Sequence, residues 1–348
     1  MRSEHLKLLA CPECGGELAL EAFEWDREGV LAGALGCARE HLYPVIGGIP
    51  RFTPGAAFEH GEFAASFGGR FPCGPPARVD RVWRRTSESF ALQWLTYDVI
   101  REDEDRATFY AKTGLGPEEL AGALVLDAGC GSGRYARVAT AAGAQVVAVD
   151  LSRACERAQE ALRDFPGTLV VQANLMMLPF RKGIFDVVYS IGVLHHTPNT
   201  RKALAALAPF VRPGGTLAVW VYAKRDPVFE AVNRIARGIT TRMSYGALMR
   251  LARLAVPLGA AKRWALRRGW TAWLSRTLPP CSSHPDPQVR VCDTFDWYSP
   301  EFQWHHTEEE LARWLRELGF EKLVSLSHRD AVHRFQGQGV CYRARSRG

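Results

Sequence analysis

Long apolar runs are missing from this chain of 348 residues. No stretch reaches the roughly 20 consecutive apolar residues that a bilayer-spanning helix needs, which excludes a helical integral membrane protein. The opening residues carry Glu4, His5 and Lys7 where a secretory leader would be apolar, so a cytoplasmic setting is expected. Cysteine is present nine times, an odd count. Without an export signal, that count argues against a disulfide framework and for a reducing compartment. Internal repeats are also lacking, which removes solenoid and propeller architectures. What is there is ordinary in bulk, at 47% hydrophobic and 23% charged residues, enough for one large core and one or two smaller domains. The net charge of +7 is unevenly spread. Residues 1–60 lean acidic through Glu13, Glu17, Glu21, Glu24, Asp26 and Glu28, whereas residues 224–276 are strongly basic.

The most informative segment runs from Val125-Leu-Asp127-Ala-Gly129-Cys-Gly131-Ser-Gly133-Arg134 to Val146-Val-Ala-Val-Asp150. An apolar strand enters a glycine turn, a helix follows, and a second apolar strand ends in an acid. That is a βαβ unit whose ligand sits where strand tips meet a helix N-terminus. A dinucleotide site spaces its glycines G-x-G-x-x-G to seat a pyrophosphate. Here the spacing is G-x-G-x-G, and Arg134 occupies the third position of the dinucleotide pattern. Asp127 would repel a phosphate and suits an ammonium or sulfonium group, while Asp150 is placed to accept from both ribose hydroxyls. The ligand matching these charges is an adenosine with a cationic amino-acid tail, S-adenosylmethionine.

Further along come Val171-Gln-Ala-Asn174-Leu175, Leu178-Pro-Phe, Phe185-Asp-Val-Val-Tyr-Ser190, Gly192-Val-Leu-His195-His196 and Arg212-Pro-Gly-Gly215. In this order the motifs resemble the class I methyltransferase family over about residues 85 to 345. The resemblance implies a Rossmann-like α/β fold with a seven-stranded sheet whose last strand is antiparallel. It implies that Gly129, Gly131, Gly133, Leu151, Leu175 and Ser190 join Asp127, Asp150 and Asn174 around the cofactor. The family's usual acid at the adenine amino group is Asn174 here, whose amide oxygen still accepts a hydrogen bond. Strands are expected near 124–128, 145–150, 168–172, 185–190 and 215–222, alternating with helices. Thr307-Glu-Glu-Glu310 forms a capping box for a helix ending at Gly319. Two final strands are expected near 321–328 and 338–345, joined by a turn at Gln336-Gly337-Gln338.

At the N-terminus, Cys11-Pro-Glu-Cys14 and Cys37-Ala-Arg-Glu-His41 give C-x2-C followed by C-x3-H. Two such turns can bring four donors into a tetrahedron around a structural Zn2+; inert small core residues are the alternative. The first 54 residues also resemble the Trm112-like zinc-ribbon domain, through Leu8-Leu-Ala-Cys11-Pro and Tyr43-Pro-Val-Ile-Gly-Gly-Ile-Pro50. That resemblance implies a role in stabilising a methyltransferase, recognising its substrate or binding a partner. Cys281, His284 and Cys292 are read as part of a Pro-rich surface loop rather than a second metal site. Residues 55–84 read as a Gly/Pro-rich linker, most plainly over 55–80, and 85–348 as the methyltransferase domain.

Before the first sheet strand, Phe90 and Trp94 sit at i and i+4. They either fold over the cofactor and substrate, as similar segments of related enzymes do, or form one core face of a helix. An insertion of about residues 224–296 carries Arg234, Arg237, Arg242, Arg250, Arg253, Lys262, Arg263, Arg267, Arg268 and Arg276 among apolar residues, Trp270 and Trp273 included. Pro257 and Gly259 are expected to break it into amphipathic helices. Three readings stand for this helical lid: a solvated basic face, contact with an anionic substrate, or attachment to an anionic membrane surface.

Methyl transfer asks the protein to align a nucleophile and exclude water. His195 and His196 follow the fourth strand and are candidates for a general base, the alternative being a structural pair. Tyr222, Tyr298 and His305 are candidate substrate walls, with Trp297, Trp304 and His306 beside them. The expected activity is SN2 methyl transfer to a small-molecule or lipid-linked acceptor. The rivals are an rRNA base methyltransferase acting on a guanine ring nitrogen, and a non-catalytic cofactor-binding partner subunit. No N/D-P-P-Y/F motif follows strand four, which tells against amino-methylating nucleic-acid enzymes.

Overall fold

The computed structural model describes residues 1–71, 81–97, 99–268, 281–327 and 339–348. A small N-terminal sheet comprises β1 (Leu18–Trp25), β2 (Val30–Cys37), β3 (Leu42–Ile46) and β4 (Ile49–Pro50), all antiparallel in that order. The large sheet comprises β5 (Leu124–Ala128), β6 (Gln145–Asp150), β7 (Leu169–Gln172), β8 (Phe185–Ile191), β9 (Val211–Tyr222), β10 (Phe320–Ser325) and β11 (Gly339–Ser346). Its order is β10-β11-β9-β8-β5-β6-β7, with β11 antiparallel to both neighbours and β5 to β9 parallel. This is the expected methyltransferase-type α/β fold, last strand included. The parallel strands read as nearly continuous Val, Leu and Ile because helices cover both faces, and Val125, Leu126, Val146, Val149, Val171 and Val188 are fully buried. After β7 the chain returns to place β8 on the other side of β5. That reversal opens a crevice beyond the carboxyl ends of β5 and β8.

The helices are α1 (Ala56–Glu59), α2 (Gly61–Phe67), α3 (Arg81–Thr96), α4 (Glu102–Thr113), α5 (Pro117–Leu120), α6 (Arg134–Ala141), α7 (Ala154–Ala161) and α8 (Thr200–Leu207). They continue with α9 (Pro227–Thr240), α10 (Tyr245–Ala252), α11 (Ala255–Arg267), α12 (Pro287–Tyr298) and α13 (Glu308–Glu317). The capping box is formed: Thr307 Oγ1 accepts from Glu310 N at 3.3 Å, and Glu310 Oε2 accepts from Thr307 N at 3.1 Å. Among the described residues no helix is long and apolar enough to cross a membrane.

Three expectations about organisation need correcting. Residues 55–71 are not a bare linker. Phe63, Phe67 and Phe71 recur every four residues and pack with Ala32, Ala34 and Ile46 of the small sheet, which folds α1 and α2 onto it. Residues 72–80 lie outside the described residues, and α3 already begins at Arg81. The lid helices are not divided at Pro257. That proline sits in the first turn of α11, where an amide would have no intrahelical partner, and the break falls at Arg253–Leu254. Gly259 is inside α11 because a Cβ there would meet the Ser282 carbonyl and the Arg290 side chain. Finally, Cys281 to His284 are buried rather than a surface loop. Arg290 donates to the carbonyls of Val256, His284 and Pro285, tying the segment to α11. The expected turn at 336–338, with Trp270, Trp273 and Arg276, lies outside the described residues.

The small sheet is sewn to the large one through main-chain bonds. Phe52 N donates to Gln172 O at 2.7 Å, Ala10 N to Pro179 O at 2.9 Å, and Arg181 N to Leu8 O at 3.0 Å. Between the sheets lies the Arg51 guanidinium, 2% exposed, which donates to Gln172 Oε1 at 2.7 Å and reaches Glu156 at 3.4 Å. Because β7 is the sheet's edge strand, this docking sets the N-terminal domain beside the carboxyl ends of β6 and β7.

Candidate functional site

A cleft of about 570 Å³ runs along the carboxyl ends of β5 to β9, within the size range of small-molecule sites. Its floor is the glycine turn. Gly129 has φ +96°, and a Cβ there would collide with the Val193 side chain. Gly131 has φ +52°, and a Cβ would lie 3.0 Å from the Trp94 ring. Only glycine leaves this cradle open to a ligand. Gly133, with φ +81°, serves instead as the N-cap of α6 against Ala158 and is not on the cleft wall.

Asp150 stands on the wall at the tip of β6. Its carboxylate accepts from Gly131 N at 2.9 Å, Ser152 N at 2.8 Å and Ser152 Oγ at 2.7 Å. Burial raises its pKa above the ordinary carboxylate value against the pull of those hydrogen bonds. Asp127 is 2% exposed at the end of β5 and is not among the wall residues. Burial pushes its carboxyl up to about 7 in spite of the Tyr189 hydroxyl beside it. One of its oxygens, Oδ2, is buried with no hydrogen-bond partner. An orphaned carboxylate oxygen behind an open glycine cradle fits a cationic ligand group there, as the sequence suggested, although Asp127 itself is not on the cleft wall.

Leu151, Asn174 and Leu175 also line the cleft. The Asn174 Oδ1 already accepts from Met176 N at 2.9 Å and keeps a second lone pair. Ser190 does not reach the cleft; its hydroxyl donates to Ala128 O at 2.8 Å and ties β8 to β5.

The other end of the cleft is aromatic. Phe90, Trp94, Trp220, Tyr222, Trp297 and Phe302 form its walls with His196 and Asp296. Phe90 and Trp94 thus line the site, and the Trp94 ring covers the glycine turn. The two histidines separate. His195 is fully buried, stacked on Tyr222 with ring centroids 3.9 Å apart, and burial then the neighbouring His196 hold its pKa well below the ordinary value. It has no path to a substrate and is withdrawn as a base. His196 faces the cleft. Its Nδ1 lies 2.9 Å from Phe302 O, and a carbonyl can only accept, so Nδ1 carries the hydrogen. The lone pair therefore sits on Nε2, which is buried just behind the cleft wall, has no hydrogen-bond partner and lies 3.7 Å from Asp296 Oδ2. That oxygen also accepts from the Tyr222 hydroxyl at 2.9 Å.

Tyr298 and His305 are not substrate walls. Tyr298 packs in the lid core with Leu248, Met249 and Phe295, and His305 bonds Glu230 at 2.7 Å. Trp304 and His306 are likewise off the cleft, His306 bonding Thr200 Oγ1 at 2.9 Å. Among the described residues, no lid arginine lines the cleft either. Sequence reading missed Asp293 and Asp296, which α12 presents at i and i+3 next to Trp297. It also missed Lys112, whose ammonium lies 3.8 Å from the Trp220 ring centroid. The Asp-x-x-Asp-Trp spacing was a usable signal; Lys112, on a helix before the motifs, offered none.

Cys11, Cys14, Cys37 and His41 meet as foreseen. Their ligand atoms all lie within 4.8 Å of one another. Individual edges are 3.3 Å from Cys11 Sγ to His41 Nδ1, 3.4 Å from Cys37 Sγ to His41 Nδ1, and 3.7 Å between Cys14 and Cys37 sulfurs. A tetrahedron with metal–sulfur bonds of about 2.3 Å has sulfur–sulfur edges of about 3.8 Å. Gly15, with φ +70°, closes the first turn. The neighbouring Pro12, Glu13 and Tyr43 line the cleft, and the Tyr43 hydroxyl lies 3.3 Å from Cys11 Sγ. Cys281, His284 and Cys292 do not form a second cluster: His284 bonds Glu104 at 2.9 Å, and the Cys292 sulfur accepts from Gln93.

Residues 126–219 match the family model described as a methyltransferase domain. The chain is similar to a 27-O-demethylrifamycin SV methyltransferase from Amycolatopsis mediterranei, 32% identical over 41% of this chain and 59% of that protein. It is also similar to an uncharacterized methyltransferase from Arabidopsis thaliana, 25% identical over 64% of this chain and 63% of that protein. The chain therefore spans about three-fifths of the length of each. Among solved structures, it overlays an N1-methyltransferase of 1,6-didemethyltoxoflavin from Burkholderia thailandensis at a TM-score of 0.43 and 18% identity. That overlay covers 80% of this chain and 94% of the other.

Proposed function

We propose that this chain is an S-adenosylmethionine-dependent methyltransferase acting on a small-molecule or lipid-linked acceptor, with a structural Zn2+ held by Cys11, Cys14, Cys37 and His41. The observation that carries the reading is the Asp150 carboxylate on the wall of a glycine cradle, with the unpartnered Asp127 oxygen buried behind it. Asp150 would receive a ribose hydroxyl, Asn174 the adenine amino group, and Leu151 and Leu175 the adenine faces. The match of residues 126–219 to a methyltransferase domain supports the same assignment. When bound, the donor supplies a methyl group already activated by its sulfonium. The chain's own part is to hold the acceptor between Phe90, Trp297 and Phe302, exclude water and take up a proton.

His196 is suited to that last task. With Nδ1–H fixed by Phe302, Nε2 is the only basic atom it can offer. A proton arriving there forms an ion pair with Asp296, which Tyr222 holds in place. An acceptor with an ionisable O–H or N–H matches this arrangement. The test is incubation with radiolabelled donor and fractionated cell extract. Label should enter a small-molecule or lipid fraction, and no incorporation into any fraction would refute the activity. With the acceptor in hand, the His196→Ala variant should lose roughly 100-fold in kcat while S-adenosylhomocysteine affinity is unchanged. A kcat within about twofold, or an equal loss of affinity, would make His196 a packing residue.

A further inference from the structure

We propose that the outer face of the lid docks on an anionic lipid bilayer. The inference rests on α9, which is mounted with its polar side inward. Positions 230, 233, 237 and 240 share one helical face, and each is tied to the last turn of α12 or to the segment that follows it. Glu230 bonds His305 at 2.7 Å, and Asn233 donates to Gln303 Oε1 at 2.8 Å. Arg237 donates to the carbonyls of Trp297 and Pro300, each at 2.7 Å, and Thr240 Oγ1 donates to Tyr298 O at 3.1 Å. The opposite face, at positions 228, 235 and 239, carries Val228, Ile235 and Ile239, which are 60%, 69% and 64% exposed. A surface helix ordinarily turns its apolar stripe to the core. Four polar anchors here hold it outward.

Helices α10 and α11 continue the pattern with Leu251, Leu254 and Leu258, each exposed by about half. The charge carried by these helices is predominantly positive. Arg234, Arg242, Arg250, Arg253 and Arg268 are exposed, and the only acid between residues 227 and 268 is Glu230, already paired with His305. Exposed apolar stripes bordered by arginine, with Asp226 at the N-cap of α9 the one exposed acid at these helices among the described residues, are the pattern of a helix lying in the interface of an anionic membrane. A second copy of the chain fits poorly, since a symmetric contact would bring arginines together. A nucleic acid would meet the arginines but give the isoleucines nothing to cover them.

The experiment is flotation of the full-length, zinc-loaded protein with vesicles of phosphatidylcholine alone or mixed with phosphatidylglycerol. The protein should float with the mixed vesicles, with affinity roughly tenfold or more weaker for the neutral ones and in raised salt. Ile235→Ser and Ile239→Ser should each weaken binding by roughly tenfold while S-adenosylhomocysteine affinity stays unchanged. Absence of flotation, equal flotation with neutral vesicles, or undiminished binding by the double serine variant would overturn the proposal. So would a dimer in sedimentation that these substitutions dissolve, or RNA binding that they abolish.

Discussion

Replacing Asp150 by alanine removes a carboxylate that accepts three hydrogen bonds from the protein, two of them from the main-chain amides of Gly131 and Ser152. Roughly four lone-pair positions are available on a carboxylate, so about one remains for a ribose hydroxyl. Losing a charged hydrogen bond of that kind costs about 1.5–3 kcal/mol, or roughly 10- to 150-fold in Kd. The amides add a second effect. Each buried N–H left unpaired costs about 1–3 kcal/mol, so thermal stability should fall as well. Calorimetry with S-adenosylhomocysteine, which carries the sugar without the sulfonium charge, isolates the ribose contact. Asp150→Asn is the informative companion. Its oxygen still serves one side, but its NH2 meets an N–H donor, so affinity should drop nearly as far. A Kd unchanged within about twofold in the alanine variant, whatever happens to the melting temperature, would refute the ribose assignment and leave Asp150 as loop support.

Gly131→Ala places a methyl 3.0 Å from the Trp94 ring at a φ of +52°, so S-adenosylhomocysteine affinity should fall by roughly tenfold or more. Normal affinity would remove Trp94 from the cradle. Raising the Asp127 carboxyl from 3.8 to about 7 makes the folded state hold a proton that the unfolded state releases. That stabilisation is present at low pH and lost as pH rises through about 7, amounting to ~4 kcal/mol at most. Ligand-free protein should therefore lose more melting temperature between about pH 5 and about pH 8 than the Asp127→Asn variant does. Parallel curves would place the proton elsewhere. Metal analysis should find about one zinc per chain, absent from a Cys11→Ser/Cys14→Ser variant, whose melting transition should also be lower. A metal-free wild type would reduce the four donors to packing.

The sheet was legible because its parallel strands are buried on both faces and so read as unbroken aliphatic runs ending in Asp127, Asp150 or a Gly turn. The donor end of the cleft was legible for the same reason, since Gly129, Gly131 and Asp150 are consecutive features of one βαβ unit. The acceptor end was not. Its walls come from α3, α12 and the segment around Phe302, which meet only through the lid's packing. Nor could adjacent His195 and His196 be told apart before their rings were seen to face a sealed layer and an open cleft. The lid misled in another way. Its 3.6-residue periodicity was correctly amphipathic, but periodicity does not say which side turns inward, and Asn233, Arg237 and Thr240 reversed the usual choice.

The pairing of Phe52 with Gln172 has a consequence for how the chain can be cut. An unpaired border strand such as β7 invites other chains to add to it, and proteins ordinarily shield such borders. Here the first 54 residues are the shield, and the Arg51 guanidinium plugs the seam. A fragment beginning after them would present a bare Gln172 carbonyl at β7 and leave the Gln172 and Glu156 side chains without their arginine partner. Such a truncate should self-associate, so the segment that carries Cys11, Cys14, Cys37 and His41 belongs to the same folding unit as the large sheet.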